Sequence, residues 1–251
     1  MARLRTLARR LLGVERRPTY YLPWLTRPGL TCALLLSNVE ARLKPANNKG
    51  PFRVAARQYD ADGSLVRTYE AVLATSTDAA EVTLAPTASG AGLVTVEGER
   101  LLSDLYVTVS DGDGYAATHG RQEFVERYPL PSRALMAAVG GMLALVGRTI
   151  PAFVRDQYVY AGPDSRAHVL LLNLSNVTNR IRVGVEAPRA ARLIAIAPMG
   201  THLLDVGALL GAPMSTCVTR LHLEGNAWFN IYLVGAGTRD LAGPLSLMHV
   251  K

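Results

Sequence analysis

Hydrophobic residues recur along this 251-residue chain in short runs that turn-forming residues separate. In many runs apolar and polar positions alternate, which is typical of a strand with one buried face. The runs predict strands at 31–39, 52–59, 65–73, 80–85, 92–97, 104–110 and 114–119, and again at 153–160, 167–174, 179–186, 191–197, 217–224, 227–234 and 244–250. Short strands at this spacing indicate a mainly β protein of antiparallel sandwiches rather than a parallel α/β sheet.

Two hairpin turns are predicted where Asp-Gly pairs separate alternating runs. They lie at Asp60-Ala61-Asp62-Gly63 and at Asp111-Gly112-Asp113-Gly114. Asp-Gly supplies the positive backbone torsions of tight hairpin turns. The same letters could begin a calcium loop, but the remaining ligands, including the distant Glu, do not follow. The hairpin interpretation is therefore favoured.

The strand pattern of the first half returns in the second half. The run Leu34–Val39 (LLLSNV) is echoed at Leu170–Val177 (LLLNLSNV), and Val96-Glu97-Gly98 is echoed by Leu223-Glu224-Gly225. The echoes keep their order, which predicts two related domains from an internal duplication. The alternative is that half-buried strands resemble one another by composition alone.

Two helices are predicted, one before each set of strands. Residues 1–14 place leucines at helical spacing with arginines on the other faces, which indicates a short basic amphipathic helix. Residues 133–146, which Ser132 can cap, are apolar on nearly every face, so we expect this helix to be buried between the halves. The predicted organisation is a basic helix at 1–18, a first sandwich at 19–128, a linker with an apolar helix at 129–152 and a second sandwich at 153–251.

A leucine-rich strand, an Asn turn and a strand with an Asp-Gly hairpin together resemble Ig-like or fibronectin-like sandwiches. The resemblance implies two tandem domains of that architecture and carries no activity with it. No family is identified from the sequence.

The positive charge of the chain is concentrated at its N-terminus. The net charge is +7, and residues 1–17 hold six arginines and one glutamate, or +5. The remaining +2 argues against a nucleic-acid groove, which needs a basic stripe on the folded body. The N-terminal segment could instead pack on the body, dock into a partner protein or bind an anionic membrane. The residues that would bind are Arg3, Arg5, Arg9, Arg10, Arg16, Arg17, Leu4, Leu7 and Leu11.

Neither a secretory signal nor a membrane-spanning segment is predicted. The start lacks a continuous apolar stretch, and the uncharged segment 134–147 is shorter than the roughly 20 residues that span a bilayer. A cytoplasmic protein is expected, either free or peripheral to the inner face of a membrane. Cys32 and Cys217 are far apart in sequence and are predicted to be buried free thiols, with no disulfide and no metal site.

The strongest candidate for catalysis is His119, with Arg121 and Glu123 close behind it. These residues could supply a general base, an arginine clamp and an orienting acid, but the polar end of an ordinary strand would have the same sequence. His119 and His249 would occupy equivalent positions if a two-fold axis related the halves. No nucleophile elbow, zinc-protease motif or phosphate loop is present, so no cofactor is predicted and an enzyme is not favoured.

Four aromatic residues form the candidate site for a polysaccharide. Tyr20, Tyr21, Trp24 and Trp228 could stack on sugar rings if exposed, although burial in a strand is the favoured interpretation. The leading hypothesis is a non-enzymatic binding or scaffolding protein that attaches to a protein partner or an anionic membrane. Carbohydrate binding and a hydrolase-type enzyme centred on His119 are the alternatives. Exposed strand edges are compatible with a homodimer.

Overall fold

The computed structural model describes residues 10–39, 43, 50–98, 105–111, 114–161, 166–185, 190–210, 217–236 and 245–249. Within these ranges the chain is mainly β, as its sequence predicts. The first half contains β1 (Glu15–Leu25), β2 (Thr31–Ser37), β3 (Phe52–Asp60), β4 (Leu65–Leu73), β5 (Ala79–Thr83), β6 (Ala91–Gly98), β7 (Tyr106–Ser110), β8 (Tyr115–His119) and β9 (Arg121–Arg127). After α1 (Leu130–Leu145) come β10 (Phe153–Ala161), β11 (Arg166–Asn173), β12 (Asn179–Val185), β13 (Ala190–Ile196), β14 (Thr201–Asp205), α2 (Val206–Leu210), β15 (Cys217–Gly225), β16 (Phe229–Ala236) and β17 (Leu245–His249).

The strands form four antiparallel sheets, which we number from 1 to 4 and which pack in the order 2, 1, 3, 4. Sheet 1 has the order β4-β3-β6-β1-β9, and sheet 2 has the order β5-β2-β7-β8. Sheet 3 has the order β14-β11-β16-β17, and sheet 4 has the order β10-β15-β12-β13. Sheets 1 and 2 enclose one apolar core, and sheets 3 and 4 enclose another. Each pair is therefore sandwich-like.

A third apolar core lies between sheets 1 and 3, and we call this contact the seam. It contains Tyr21 and Leu93 from the first half and Leu170, Leu172 and Tyr232 from the second half. Strands in both sheets are consequently buried on both faces. This explains their unbroken apolar runs, because a strand covered on both sides has no polar face to alternate.

The two ends of the first half differ from the sequence prediction. β1 begins at Glu15, so residues 15–18 lie in a strand and not in the N-terminal helix. β9 pairs with β1 from Glu15↔Arg127 to Tyr21↔Arg121, although its polar letters suggested only a strand end. Cross-strand pairing here overrides the weak local pattern. The predicted N-terminal helix falls mostly on residues 1–9, outside the described residues.

The hairpin predicted at Asp60–Gly63 connects β3 and β4. Gly63 has a φ of +82°, the left-handed torsion that the Asp-Gly pair predicts. The turn also reaches the second half, where the carbonyl oxygen of Ala61 accepts a hydrogen bond from Thr201 N at 2.9 Å. A Cβ at Gly63 would collide with the carbonyl oxygen of Pro198. This turn therefore joins the two halves.

The prediction that the linker helix is buried between the halves is wrong. The buried residues of α1 are Ser132, Met136 and Gly140. Met136 joins a small apolar cluster with Val177 and Ala227, while most of the helix surface stays in solvent. Packing of the seam by sheets 1 and 3 leaves no interior position for a helix. Neither helix in the described part of the chain has the length and apolar character needed to cross a membrane.

Candidate functional site

The exposed side of α1 and the residue after it carry five large apolar side chains. We call this set the α1 surface and define it as Leu130, Leu135, Met142, Leu145 and Val146. Leu130 is 74% exposed and Leu145 is 88% exposed. Because a helix turns once in 3.6 residues, these side chains project away from the buried side at Met136. An apolar strip of this kind is typical of a binding surface.

The charged residues of the chain segment that contains α1 have one sign. Residues 129–152 contain Arg133 and Arg148 and no acidic residue, and both arginines are exposed. The segment that precedes β1 lies beside α1, since the Ser132 hydroxyl donates a hydrogen bond to the carbonyl oxygen of Leu12 at 2.6 Å. Arg10 and Leu11 are exposed on that segment. The part of the basic N-terminal segment that the structure describes, from Arg10 onward, therefore lies next to the start of α1.

The predicted set of basic and leucine residues divides into three groups. Arg10 and Leu11 lie beside α1, where they could share one ligand with it. Arg16 and Arg17 belong to β1. Arg16 pairs with the carboxylate of Glu126 and Arg17 with that of Glu15. The remaining members, Arg3, Leu4, Arg5, Leu7 and Arg9, lie outside the described residues.

Arg16 neutralises a buried charge that the sequence did not reveal. The side chain of Glu126 has no exposed surface, and its carboxylate lies 3.1 Å from Arg16 Nη2. The Tyr128 hydroxyl donates to the same carboxylate at 2.9 Å. The backbone of Glu126 also hydrogen-bonds to Leu174 and Asn176 across the seam. Nothing in the local letters of β9 distinguishes this glutamate from a solvated one.

The catalytic candidates lie on two different sheets. His119 is exposed at the end of β8 in sheet 2, where its backbone pairs with Tyr106. Arg121 and Glu123 lie on β9 in sheet 1. The Glu123 carboxylate accepts a hydrogen bond from the Tyr21 hydroxyl at 3.1 Å, so this carboxylate is engaged at the seam. Within the described ranges, no three His, Cys, Asp or Glu residues are grouped so that they could hold a metal ion.

β8, which carries His119, contacts β17, which carries His249. The backbone of His249 pairs with Tyr232, as that of His119 pairs with Tyr106. The two histidines thus stand at matching places on adjacent strands.

Three of the four predicted stacking residues belong to cores rather than to a surface. Tyr20, Tyr21 and Trp24 are all buried, and the Trp24 indole N–H donates to the carbonyl oxygen of Tyr59 at 2.9 Å. They lie on the first strand, β1, with their side chains buried, and they form no open platform for a sugar.

Trp228, the fourth predicted stacking residue, is partly exposed but its ring is packed. The ring centroid lies 4.8 Å from that of Phe124 and 5.2 Å from that of Phe153. The Arg155 guanidinium lies over the same ring at 5.1 Å. Protein groups therefore occupy the positions that a sugar ring would need.

A row of charged residues crosses the outer face of sheet 4. His222 Nδ1 lies 2.8 Å from an Asp156 oxygen, and His222 Nε2 lies 3.5 Å from a Glu224 oxygen. Arg220 pairs with the other oxygen of Asp156 at 3.0 Å. Hydrogen bonds from Arg220 and His222 hold the pKa of Asp156 below its usual range. The row contains no serine, cysteine or lysine, and its acids and bases compensate one another on an open face.

A groove of 680 Å³ crosses β3, β4 and β6 on sheet 1. Its floor is apolar at Ala55 and Val72, and its sides carry Arg53, Glu70 and Glu97. The mixture of signs selects no particular charge on a ligand.

Comparison with protein-family models gives no match to this chain. Comparison with curated proteins gives no match either.

Proposed function

We propose that this chain is a non-enzymatic scaffolding protein that attaches peripherally to an anionic membrane through the α1 surface and the basic segment beside it. The observation that carries the proposal is the exposure of five large apolar side chains on a helix whose nearby sequence contains arginines and no acids. A bilayer interface offers both an apolar layer and anionic headgroups. The inner face of a membrane, facing the cytoplasm, is the proposed location.

The expected binding is reversible and depends on both contributions. Full burial of one leucine side chain is worth about 1.5–3 kcal/mol, and partial insertion of the α1 surface gains a fraction of that per residue. Each arginine near an anionic surface adds about 1 kcal/mol, so Arg10, Arg133 and Arg148 contribute a comparable amount. Attraction of this kind weakens as salt rises.

We also propose that the body is an internal duplication with Ig-like architecture, which would present two related domains to partners. The strand order β5-β2-β7-β8 of sheet 2 corresponds to β14-β11-β16-β17 of sheet 3. The order β4-β3-β6-β1 of sheet 1 likewise corresponds to β13-β12-β15-β10 of sheet 4. The matched pairs Tyr106↔His119 and Tyr232↔His249 support the same correspondence.

Membrane attachment is tested by flotation of the full chain with vesicles of phosphatidylcholine alone or mixed with phosphatidylglycerol. The wild type should float with the mixed vesicles and remain unbound with neutral ones. The double variant Met142→Glu with Leu145→Glu should lose most of this binding. Val72→Glu, which places the same charge at an exposed valine on β4, is the matched control and should bind as the wild type does.

The structure also determines how the N-terminus should be shortened. Removal of residues 1–17 would take away Arg16, which pairs with the buried Glu126, so a loss of binding would be confused with unfolding. Removal of residues 2–9 avoids this and should weaken flotation. Wild-type protein that fails to bind the anionic vesicles, or glutamate variants that bind as well as the wild type, would overturn the proposal.

A further inference from the structure

The outer edge of sheet 4 is formed by β10. Among the strands that the structure describes, β10 is hydrogen-bonded on one side, to β15. That pairing runs without a register shift over nine residues, from Phe153↔Gly225 to Ala161↔Cys217. A long and regular edge strand presents a row of backbone N–H and C=O groups on which another strand can add.

The corresponding edge in the first half is covered. β1 occupies the place in sheet 1 that β10 occupies in sheet 4, and β9 pairs with it along seven residues. Sheet 4 has no strand at this place within the described ranges. The same strand order is thus completed by a fifth strand in one sheet and left open in the other.

Six of the seven other edges of the described sheets carry features that discourage pairing, and the seventh, β9, forms a bridge to the second half at Glu126↔Ser175. β5, β8, β14 and β17 are five residues long, and β4 has a register shift against β3 at Gln58/Tyr59. β13 is contacted by α2. β10 contains no proline, glycine or lysine, and its two charged side chains are engaged within sheet 4, since Asp156 pairs with Arg220 and the Arg155 guanidinium lies over the Trp228 ring.

Apolar side chains lie along this edge on the outer face. Tyr158 is 63% exposed, and Tyr160 and its cross-strand neighbour Val218 are exposed to a similar degree. An added strand would place its own outer-face side chains beside the two tyrosine rings, and tyrosine is enriched in protein interfaces.

We infer that this edge pairs with β10 of a second copy of the chain, in an antiparallel register centred on Gln157. The two copies of sheet 4 then form one continuous sheet of eight strands about a two-fold axis. Strand β10 is self-complementary in this register, which pairs all nine residues. Asp156 faces Tyr158 of the second copy, and Arg155 faces Val159 of the second copy. Registers centred on Asp156 or Arg155 would oppose like charges, which is destabilising.

The partner is a second copy because β10, when it pairs with itself in this register, places no like charges directly opposite one another. Its acid at 156 meets a phenol that can donate to it, and its base at 155 meets no other base. The inference does not rest on membrane attachment, so the variants at Met142 and Leu145 should keep the same oligomeric state as the wild type.

The first test measures the mass of the full chain in solution by light scattering across a range of concentrations. The monomer has a mass of 27.0 kDa, and the wild type should approach twice this value. Gln157→Lys places a charge at the centre of the edge and should raise the dimer dissociation constant at least tenfold. Thr68→Lys makes the same change on the exposed edge strand β4 and should leave the dimer intact.

The second test locates the interface. A spin label on Gln157→Cys, in a Cys217→Ser background, should show strong dipolar broadening, since paired strands lie about 5 Å apart. A label on Thr68→Cys should show none. A wild type that stays monomeric, a Gln157→Lys variant as dimeric as the wild type, or a dimer without broadening at position 157 would each overturn the inference. Circular dichroism of every variant separates loss of pairing from loss of folding.

Discussion

Replacement of Arg16 with methionine removes the guanidinium that neutralises a fully buried carboxylate. Arg16 Nη2 and Nε both donate to Glu126 Oε1, at 3.1 and 3.3 Å. Methionine keeps an unbranched apolar chain over the Phe124 ring, on which the guanidinium now lies 3.8 Å from the centroid. The change therefore removes mainly the charge and its hydrogen bonds. Glu126 then keeps the Tyr128 hydroxyl as a donor.

The expected loss of stability follows from the burial of Arg16 and Glu126. Removal of one member of a fully buried ion pair costs about 3–5 kcal/mol, and a hydrogen bond to a charged group contributes about 1.5–3 kcal/mol. The side chain of Arg16 is 35% exposed, so water can replace part of what it supplies. We therefore expect a loss of about 2–3 kcal/mol in the free energy of unfolding. For a chain of this size the loss corresponds to a Tm lower by about 4–12 °C.

The assay is urea unfolding of four proteins: the wild type, Arg16→Met, Glu126→Gln and the double variant. Glutamine removes the buried charge and keeps an oxygen for Tyr128, so the cost of Arg16→Met should fall below about 1 kcal/mol in that background. Arg17→Met is the matched control. Arg17 is adjacent in β1 and pairs with Glu15 on the exposed surface, so no measurable change is expected.

Additive effects in this cycle would refute the reasoning. If Arg16→Met cost as much beside glutamine as beside glutamate, the penalty would come from lost packing over Phe124 and not from an uncompensated charge. An effect of Arg17→Met equal to that of Arg16→Met would show that any arginine in β1 contributes alike.

Three further predictions concern burial and the backbone. Burial lowers the pKa of both His168 and His202, so as the pH falls the two side chains take up a proton in the unfolded chain, near pH 6.5, before they do in the native protein. The urea midpoint should therefore be constant above that pH and fall below it. Replacement of both histidines by glutamine should flatten this profile. Burial raises the pKa of the Cys32 thiol to about 12. In a variant whose other cysteine is serine, this thiol should therefore react with a disulfide reagent only after unfolding. Rapid labelling of the native protein would contradict its burial. Gly63→Ala should lower the free energy of unfolding by more than about 1 kcal/mol, because Gly63 has a positive φ and contacts the second half. Gly29→Ala should lower it by less, since Gly29 has a φ of +84° but open space around it. Equal losses of Tm in the two variants would exclude the contact as a cause.

Much of the secondary structure follows from local patterns in the sequence. The predicted strands at 52–59 and 65–73 are found at Phe52–Asp60 and Leu65–Leu73, and the hairpin between them has its glycine at positive φ. The helix predicted at 133–146 is found at Leu130–Leu145. Alternation and turn chemistry act over a few residues, so they can be recognised without knowledge of the fold.

The candidate site was only partly predictable. The basic segment and the apolar helix were both recognised, but the expectation that the helix is buried was wrong, and the roles of Arg16 and Glu126 were missed. An apolar helix is normally buried, and a glutamate in a polar strand is normally solvated. Each exception depends on residues more than 100 positions away, or on a third core that occupies the interior.

By itself, the sequence determined which positions leave water, where the chain turns and where its charge is concentrated. The tertiary structure alone decided what covers each apolar face: Leu171 packs within the second sandwich, while Leu170 and Leu172 beside it pack across the seam. It also decided that α1 remains in solvent and that β10, among the described strands, pairs on one side only. The physical reason is that hydrophobicity is not directional, so a pattern of apolar residues specifies burial without specifying the partner surface. That surface is selected only when all four sheets pack together.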